Sequence, residues 1–142
     1  MMADDPYKLE RFLTAQEQNY SDALRELRRG RKQSHWIWYV FPQVAGLGNS
    51  PTAQHYAIGS QEEAVAYLAH PVLGQRLREC CEALLPHRGS QITDIMGFPD
   101  DLKLRSSMTL FASVAEDPQI FQAVLDAFYG GRADQKTIDF LS

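Results

Sequence analysis

Residues 31–43 (RKQSHWIWYVFPQ) restrict this chain more than any other part of it. Both tryptophans lie here, and Trp36, Trp38, Tyr39 and Phe41 set four large rings within six positions. Rings at that density would leave a large apolar patch if they all faced water. The stretch must therefore anchor a core, wall a site, or do both. The basic pair Arg31 and Lys32 and the titratable His35 lead into it, and Pro42 and Gln43 close it. A short helix through 35–41, opened by Ser34 and ended by Pro42, is the favoured reading. The same residues at period two would suit a strand, but no second strand-like run offers a partner, and a lone strand is not stable.

The rest of the chain is punctuated as a helical protein. Asp5 and Pro6 read as the cap and first residue of a helix with Leu9, Phe12, Leu13 and Tyr20 on one stripe. A second helical segment over 20–29 turns Ala23, Leu24 and Leu27 inward and stops at Gly30. Ser50-Pro51 and Asp117-Pro118 repeat the cap-and-proline start, and Ser60 with Glu63 forms a capping box. His70-Pro71 ends one helix and begins another, in which Leu73, Leu77, Cys80 and Leu84 recur at helical spacing. Ser90 reads as the cap of a short turn over 91–96.

In 98–115 (FPDDLKLRSSMTLFASVA), Leu104, Met108, Phe111 and Ala115 form one stripe. The opposite side, Leu102, Ser106, Thr109 and Ser113, is small and uncharged, so this segment is expected to pack on both faces as the central helix. Phe121, Val124, Leu125 and Phe128 face inward on the next helix, and Asp134 caps the last segment. Seven or eight helices and no hairpin make the expected fold an all-α, compact single-domain bundle over 1–142.

Composition acts as a filter. At 142 residues and 44% hydrophobic content the chain can bury one sizeable core. A net charge of −4 and a pI near 5.5 give no global field to recruit nucleic acid or an acidic membrane. No apolar run approaches the roughly 20 residues of a membrane span, and the opening MMADDPYKLE has no signal pattern. Cys80 and Cys81 are adjacent and point about 100° apart on a helix, which makes a mutual disulfide geometrically poor. A reducing cytoplasm is the expected location. Neither these cysteines nor the scattered His35, His55, His70 and His87 supply a metal-ligand spacing. No phosphate loop, dinucleotide fingerprint or nucleophile elbow occurs, so neither metal nor cofactor is expected.

Polar groups in apolar surroundings gather in two stretches, 31–43 and 100–107 (DDLKLRSS). Buried charges persist only when paired, so the two stretches are expected to meet in space. The candidate ligand-binding set is Gln16, Arg31, Lys32, Trp36, Trp38, Gln43, Lys103, Arg105, Ser106 and Ser107. Trp36 or Trp38 would stack a ring, and Arg31, Lys32 or Arg105 would take a phosphate. Asp101, with Arg105 one turn on, is the candidate acid/base carboxylate, and His35 is the alternative. Each has a structural counterpart: a glutamine satisfied by a backbone carbonyl, aspartates complementing a helix dipole, cations on a solvated face. The expected partner is a small nucleotide- or sugar-phosphate-like molecule. The alternative is a non-catalytic interaction module presenting the rings of 36–41 to a protein.

RFLTAQ, SHWIWYVFPQVAGLG, HPVLGQRLREC and PDDLKLRSSMTLFA, in this order and spacing, resemble the bacterial and fungal family catalogued as domain of unknown function 1810. The resemblance spans about residues 7–141. It implies a compact, mainly α-helical single domain and no established activity. Members of that family often carry the label calpastatin. Calpastatin-type inhibitors are disordered, repeated and polar, whereas this chain is unrepeated and rich in aromatics, so calpain inhibition is not expected. In fold class and residue mix alone, the chain is also similar to small helical N-glycosidases acting on ADP-ribose.

Overall fold

The computed structural model describes residues 5–142, so the first four residues of the stretch read for a signal pattern lie outside the described residues. The helices are α1 (Glu10–Arg29), α2 (Ile37–Val40), α3 (Pro51–Tyr56), α4 (Gln61–Ala69) and α5 (Leu73–Leu84), which runs on into a 3-10 turn (Leu85–His87). They continue with α6 (Ile92–Met96), α7 (Asp100–Val114), α8 (Gln119–Tyr129) and α9 (Gln135–Leu141). Among the described residues the extended pairing is one isolated parallel bridge, Val44 to Ile58.

The two segments expected before Gly30 form one 20-residue helix. No proline or glycine falls between Pro6 and Gly30, so nothing breaks the helix at Tyr20. Its start lies later than expected. The chain turns at 6–8, with Lys8 at φ 54, and Asp5 caps from outside that turn by accepting from the Leu9 and Glu10 N–H groups at 2.8 and 3.0 Å. Gly30 ends α1 at φ 77, the left-handed conformation glycine adopts without penalty.

Ser50, Ser60 and Asp134 cap α3, α4 and α9, each accepting an N–H three residues on at 3.1 Å. Ser34 and Ser90 do not cap. The Ser34 hydroxyl donates to Glu26, and neither α2 nor α6 has a side-chain cap. The aromatic run is therefore a single helical turn, not a strand. The β pairing falls just after it, where Ile58 N–H meets Gln43 O and Ala45 N–H meets Ile58 O, both at 2.9 Å.

The helix α7 occupies the centre, packed by α2, α4, α6, α8 and α9. Leu104, Met108, Leu110 and Phe111 are buried on it, and so are Ser106, Ser107 and Thr109, while Leu102 and Ser113 at either end are exposed. The neutral side thus packs only through its middle. A line of rings crosses the core from α1 to α8: Phe12 to Tyr67 at 5.1 Å, Tyr67 to Phe111 at 5.4 Å, Phe111 to Phe121 at 5.9 Å. Cys80 and Cys81 are both buried free thiols. The close approach of α4 to α5 requires Gly74, where an added Cβ would come within 2.1 Å of the Leu68 carbonyl oxygen.

Candidate functional site

The 31–43 stretch is fixed from beneath by Glu26 of α1, only 2% exposed. Glu26 Oε1 accepts from the Gln33 and Ser34 N–H groups at 2.7 and 2.9 Å and from the Trp36 indole at 2.9 Å. Oε2 accepts from the Ser34 hydroxyl at 2.6 Å. Burial alone pushes this carboxyl upward, but the hydrogen bonds, led by that of Ser34, outweigh it and hold the pKa at about 2. Among the described residues no cation pairs with it. Lys32 turns instead to Asp100 Oδ2 at 2.8 Å and lies 4.9 Å from the Trp36 ring centroid. Trp36 is fully buried against Phe41, at 6.2 Å, so these two rings anchor the core.

The two polar stretches meet, through other residues than Arg105 and Asp101. Lys32 and Lys103 converge on Asp100, and the Lys103 ammonium lies 5.1 Å from the Trp38 ring centroid. Trp38, Gln43 and Lys103 line a small cleft with Ile37, Phe41 and Tyr56. Its free volume is about 10 Å³, near the threshold for a single water.

Asp101 and Arg105 form no ion pair. The Asp101 carboxylate accepts from Thr93 Oγ1 at 2.8 Å and from the Leu102 N–H at 2.9 Å. The Arg105 fork instead meets the carbonyls of Arg132 and Ala133 at 2.9 and 2.8 Å. Those carbonyls belong to a loop that leaves them without helical partners, and they match the spread of the guanidinium donors. The Ser106 hydroxyl bonds back to Leu102 O at 3.2 Å, and the buried Ser107 hydroxyl has no partner among the described residues. Arg31 and His35 are exposed. Gln16 is a core linker: its amide donates to Tyr39 O at 2.6 Å and Tyr67 Oη at 3.2 Å, and its oxygen accepts from Arg76 at 3.3 Å.

A larger feature lies on the other side of Tyr56. A groove of about 740 Å³ runs between α1, α2 and α3, lined by Thr14, Gln18, Asn19, Tyr39, His55 and Tyr56, with Asp5, Lys8, Glu10 and Arg11 also contributing. Tyr39 and Tyr56 lie 5.3 Å apart between centroids, and His55 meets Tyr56 edge-on at 4.6 Å. The Tyr39 hydroxyl accepts from the Asn19 amide at 2.8 Å and donates to His35 O at 3.3 Å. Burial, then the neighbouring Tyr56, raises its pKa, and the Asn19 bond opposes them.

Arg11 builds the groove rather than facing a ligand. Its Nε donates to His55 O, its Nη1 to Tyr7 O and Lys8 O, and its Nη2 to Ala57 O and Glu63 Oε2. All five of its donors are engaged. The groove was missed in the sequence because the positions α1 contributes form a polar stripe that reads as a solvent face. Tyr39 stands in the aromatic run, where nothing in the spacing separates it from the tryptophans beside it.

The family model described as "Protein of unknown function (DUF1810)" matches residues 6–141, and the chain belongs to that family. The chain is similar to the conserved hypothetical protein Rv1873 from Mycobacterium tuberculosis, known from a crystal structure. The two share 51% identity and a TM-score of 0.95, over 96% of this chain and 98% of that one. Among curated proteins none matches. No helix of the described residues is long and apolar enough to cross a membrane.

Proposed function

We propose that this member of the family binds a small molecule of the nucleotide or sugar-phosphate class in the groove between α1, α2 and α3. The observation that carries the reading is the groove itself. Its volume of about 740 Å³ falls within the roughly 300–1,000 Å³ of ligand pockets. Tyr56, only partly buried, offers a ring to a base or sugar, and the buried Tyr39 lines the floor beside it. Thr14, Gln18 and Asn19 offer neutral hydrogen-bonding groups suited to ribose hydroxyls or base edges. Asp101 and His35, the groups expected to do acid/base work, are not among the groove's lining residues, so the reading is one of binding. The alternative, a protein-binding module built on the rings of 36–41, would need those rings at the surface, and Trp36 and Phe41 are buried.

A thermal-shift panel of AMP, ADP-ribose and sugar phosphates tests the reading. A ligand at 100 times its Kd stabilises by about 2.7 kcal/mol. The expected result is a shift with at least one member, abolished by Tyr56→Ala. No shift across the panel, or a shift indifferent to Tyr56→Ala, sinks the groove as the site.

A further inference from the structure

A phosphate-bearing ligand brings up to two negative charges, yet the groove has little positive charge to meet them. Arg11 is fully engaged and paired with Glu63 at 2.7 Å. Lys8 is balanced by Asp5 and Glu10 on the same lining. One cation without an acceptor in hydrogen-bond reach, Lys103, lies instead across Tyr56, which borders both the groove and the small cleft.

Around that cleft two donors lack partners among the described residues. The Trp38 indole N–H is buried and makes no hydrogen bond among the described residues. Lys103 is paired with Asp100 Oδ1 only at 3.6 Å, beyond hydrogen-bond reach. Asp100 has its closer contact, 2.8 Å, with Lys32, so Lys103 shares that carboxylate only at the longer distance and keeps ammonium donors free. Leaving buried donors unpaired is costly in a folded protein. Buried polar side chains on α1 show that the chain does satisfy such groups: Glu26 takes four donors and Gln16 is bonded at both ends.

We propose that the cleft walled by Trp38, Gln43, Tyr56 and Lys103 is the anion end of the groove's ligand site and takes a phosphate monoester. This rests on the groove reading for the ring-bearing part of the ligand. The Lys103 ammonium and the Trp38 N–H supply charge-assisted donors, and Tyr56 is the edge over which the ligand passes. With about 10 Å³ free, the cleft holds one water at most. The phosphate therefore enters as Lys103 and Gln43 swing aside. Both are partly exposed, unbranched side chains whose staggered rotamers interchange readily.

Two-dimensional 1H–15N NMR tests this, because the chain has two indole signals and that of Trp36 is held by Glu26 as an internal reference. AMP, adenosine and inorganic phosphate are titrated separately. The expected result is that AMP and phosphate move the Trp38 indole signal and adenosine does not. AMP should bind about tenfold more tightly than adenosine, the scale of one charge-assisted hydrogen bond. Lys103→Gln should erase that advantage and leave adenosine binding unchanged, while Lys103→Arg retains part of it. Equal affinities for AMP and adenosine with a stationary Trp38 indole overturn the anion end and leave the groove intact. If neither AMP nor adenosine binds, the groove reading fails separately. The phosphate titration then decides the cleft alone: a Trp38 shift lost in Lys103→Gln supports it, and no shift overturns it.

Discussion

Glu26 concentrates more of the local energetics than any candidate drawn from the aromatic run itself. On a helix ending in arginines, a glutamate reads as one more surface charge, and nothing in its spacing marks it as the acceptor for residues seven to ten positions away. Its carboxyl titrates at about 2 in the fold against an ordinary value of 4.5. A depressed carboxylate pKa stabilises the fold above the unfolded value and loses that contribution as pH falls through the folded one. Here that amounts to about 3 kcal/mol, complete above about pH 5 and gone near pH 2. Glu26→Gln keeps the shape but removes the charge. It should lower stability at pH 7, and the gap to the parent protein should narrow between pH 5 and pH 2 in urea titrations. Parallel loss of stability in both proteins over that range would show that the four bonds carry no charge-dependent stabilisation. The cysteines behave in the opposite sense. Burial, the largest effect, pushes the Cys80 thiol up to about 12 and raises Cys81 well above its usual range. Both should stay unlabelled by a thiol reagent at pH 8 in the native state and react promptly in denaturant. Rapid native labelling of either one contradicts its burial.

At the scale of elements, the regular parts were legible and the joints were not. The stripe of Leu104, Met108 and Phe111 announced α7, because a packed helix repeats its apolar positions whatever surrounds it. Phe111 stands between Tyr67 and Phe121 in the line of core rings. Phe111→Ala should therefore cost about 3–5 kcal/mol, read as a fall in the denaturation midpoint; an unchanged midpoint would mean that α7 is not central. By contrast, α1 reads as two segments meeting at Tyr20, because Gln16 stands on its stripe where an apolar residue is expected, and only the structure supplies the buried partners that allow a glutamine there. Arg105 was paired with Asp101 by the local one-turn rule, whereas the carbonyls it holds lie 27 and 28 residues away. A contact of that kind has no signature in spacing. Arg105→Lys keeps the charge and loses the fork, so it should destabilise by about 1–2 kcal/mol. Amide exchange should quicken at 132–134, where α8 passes to α9, and unchanged exchange there would assign the loop's order to Asp134 and Thr109 alone.

For the whole molecule, the groove depends on long-range ties to a weak element. The six-residue α3 buries none of its own residues, yet it carries His55 and Tyr56, two of the groove's rings, and Tyr56 also walls the lysine cleft. A helix that short does not hold itself together. Its C-terminal edge is held by the Val44–Ile58 bridge and by Arg11, which reaches the carbonyls of His55 and Ala57, 44 and 46 residues away, while pairing with Glu63 on α4. The same guanidinium bonds the carbonyls of Tyr7 and Lys8, so one side chain joins the entry to α1, the end of α3 and the start of α4. Substituting Arg11→Lys preserves the charge facing Glu63 but cannot meet four carbonyls and a carboxylate at once. The expected global cost is about 2 kcal/mol, since the pair is largely buried and several hydrogen bonds are lost together. The sharper effect should be local. Amides of 54–59 should exchange much faster by hydrogen–deuterium mass spectrometry, while those in the middle of α7 slow down or speed up only with global stability. The thermal response to AMP should also weaken, although no group assigned to the ligand has been altered. If exchange at 54–59 changes no more than in α7, Arg11 is an ordinary stabilising residue, and the groove's walls are held by α1 and the bridge without it.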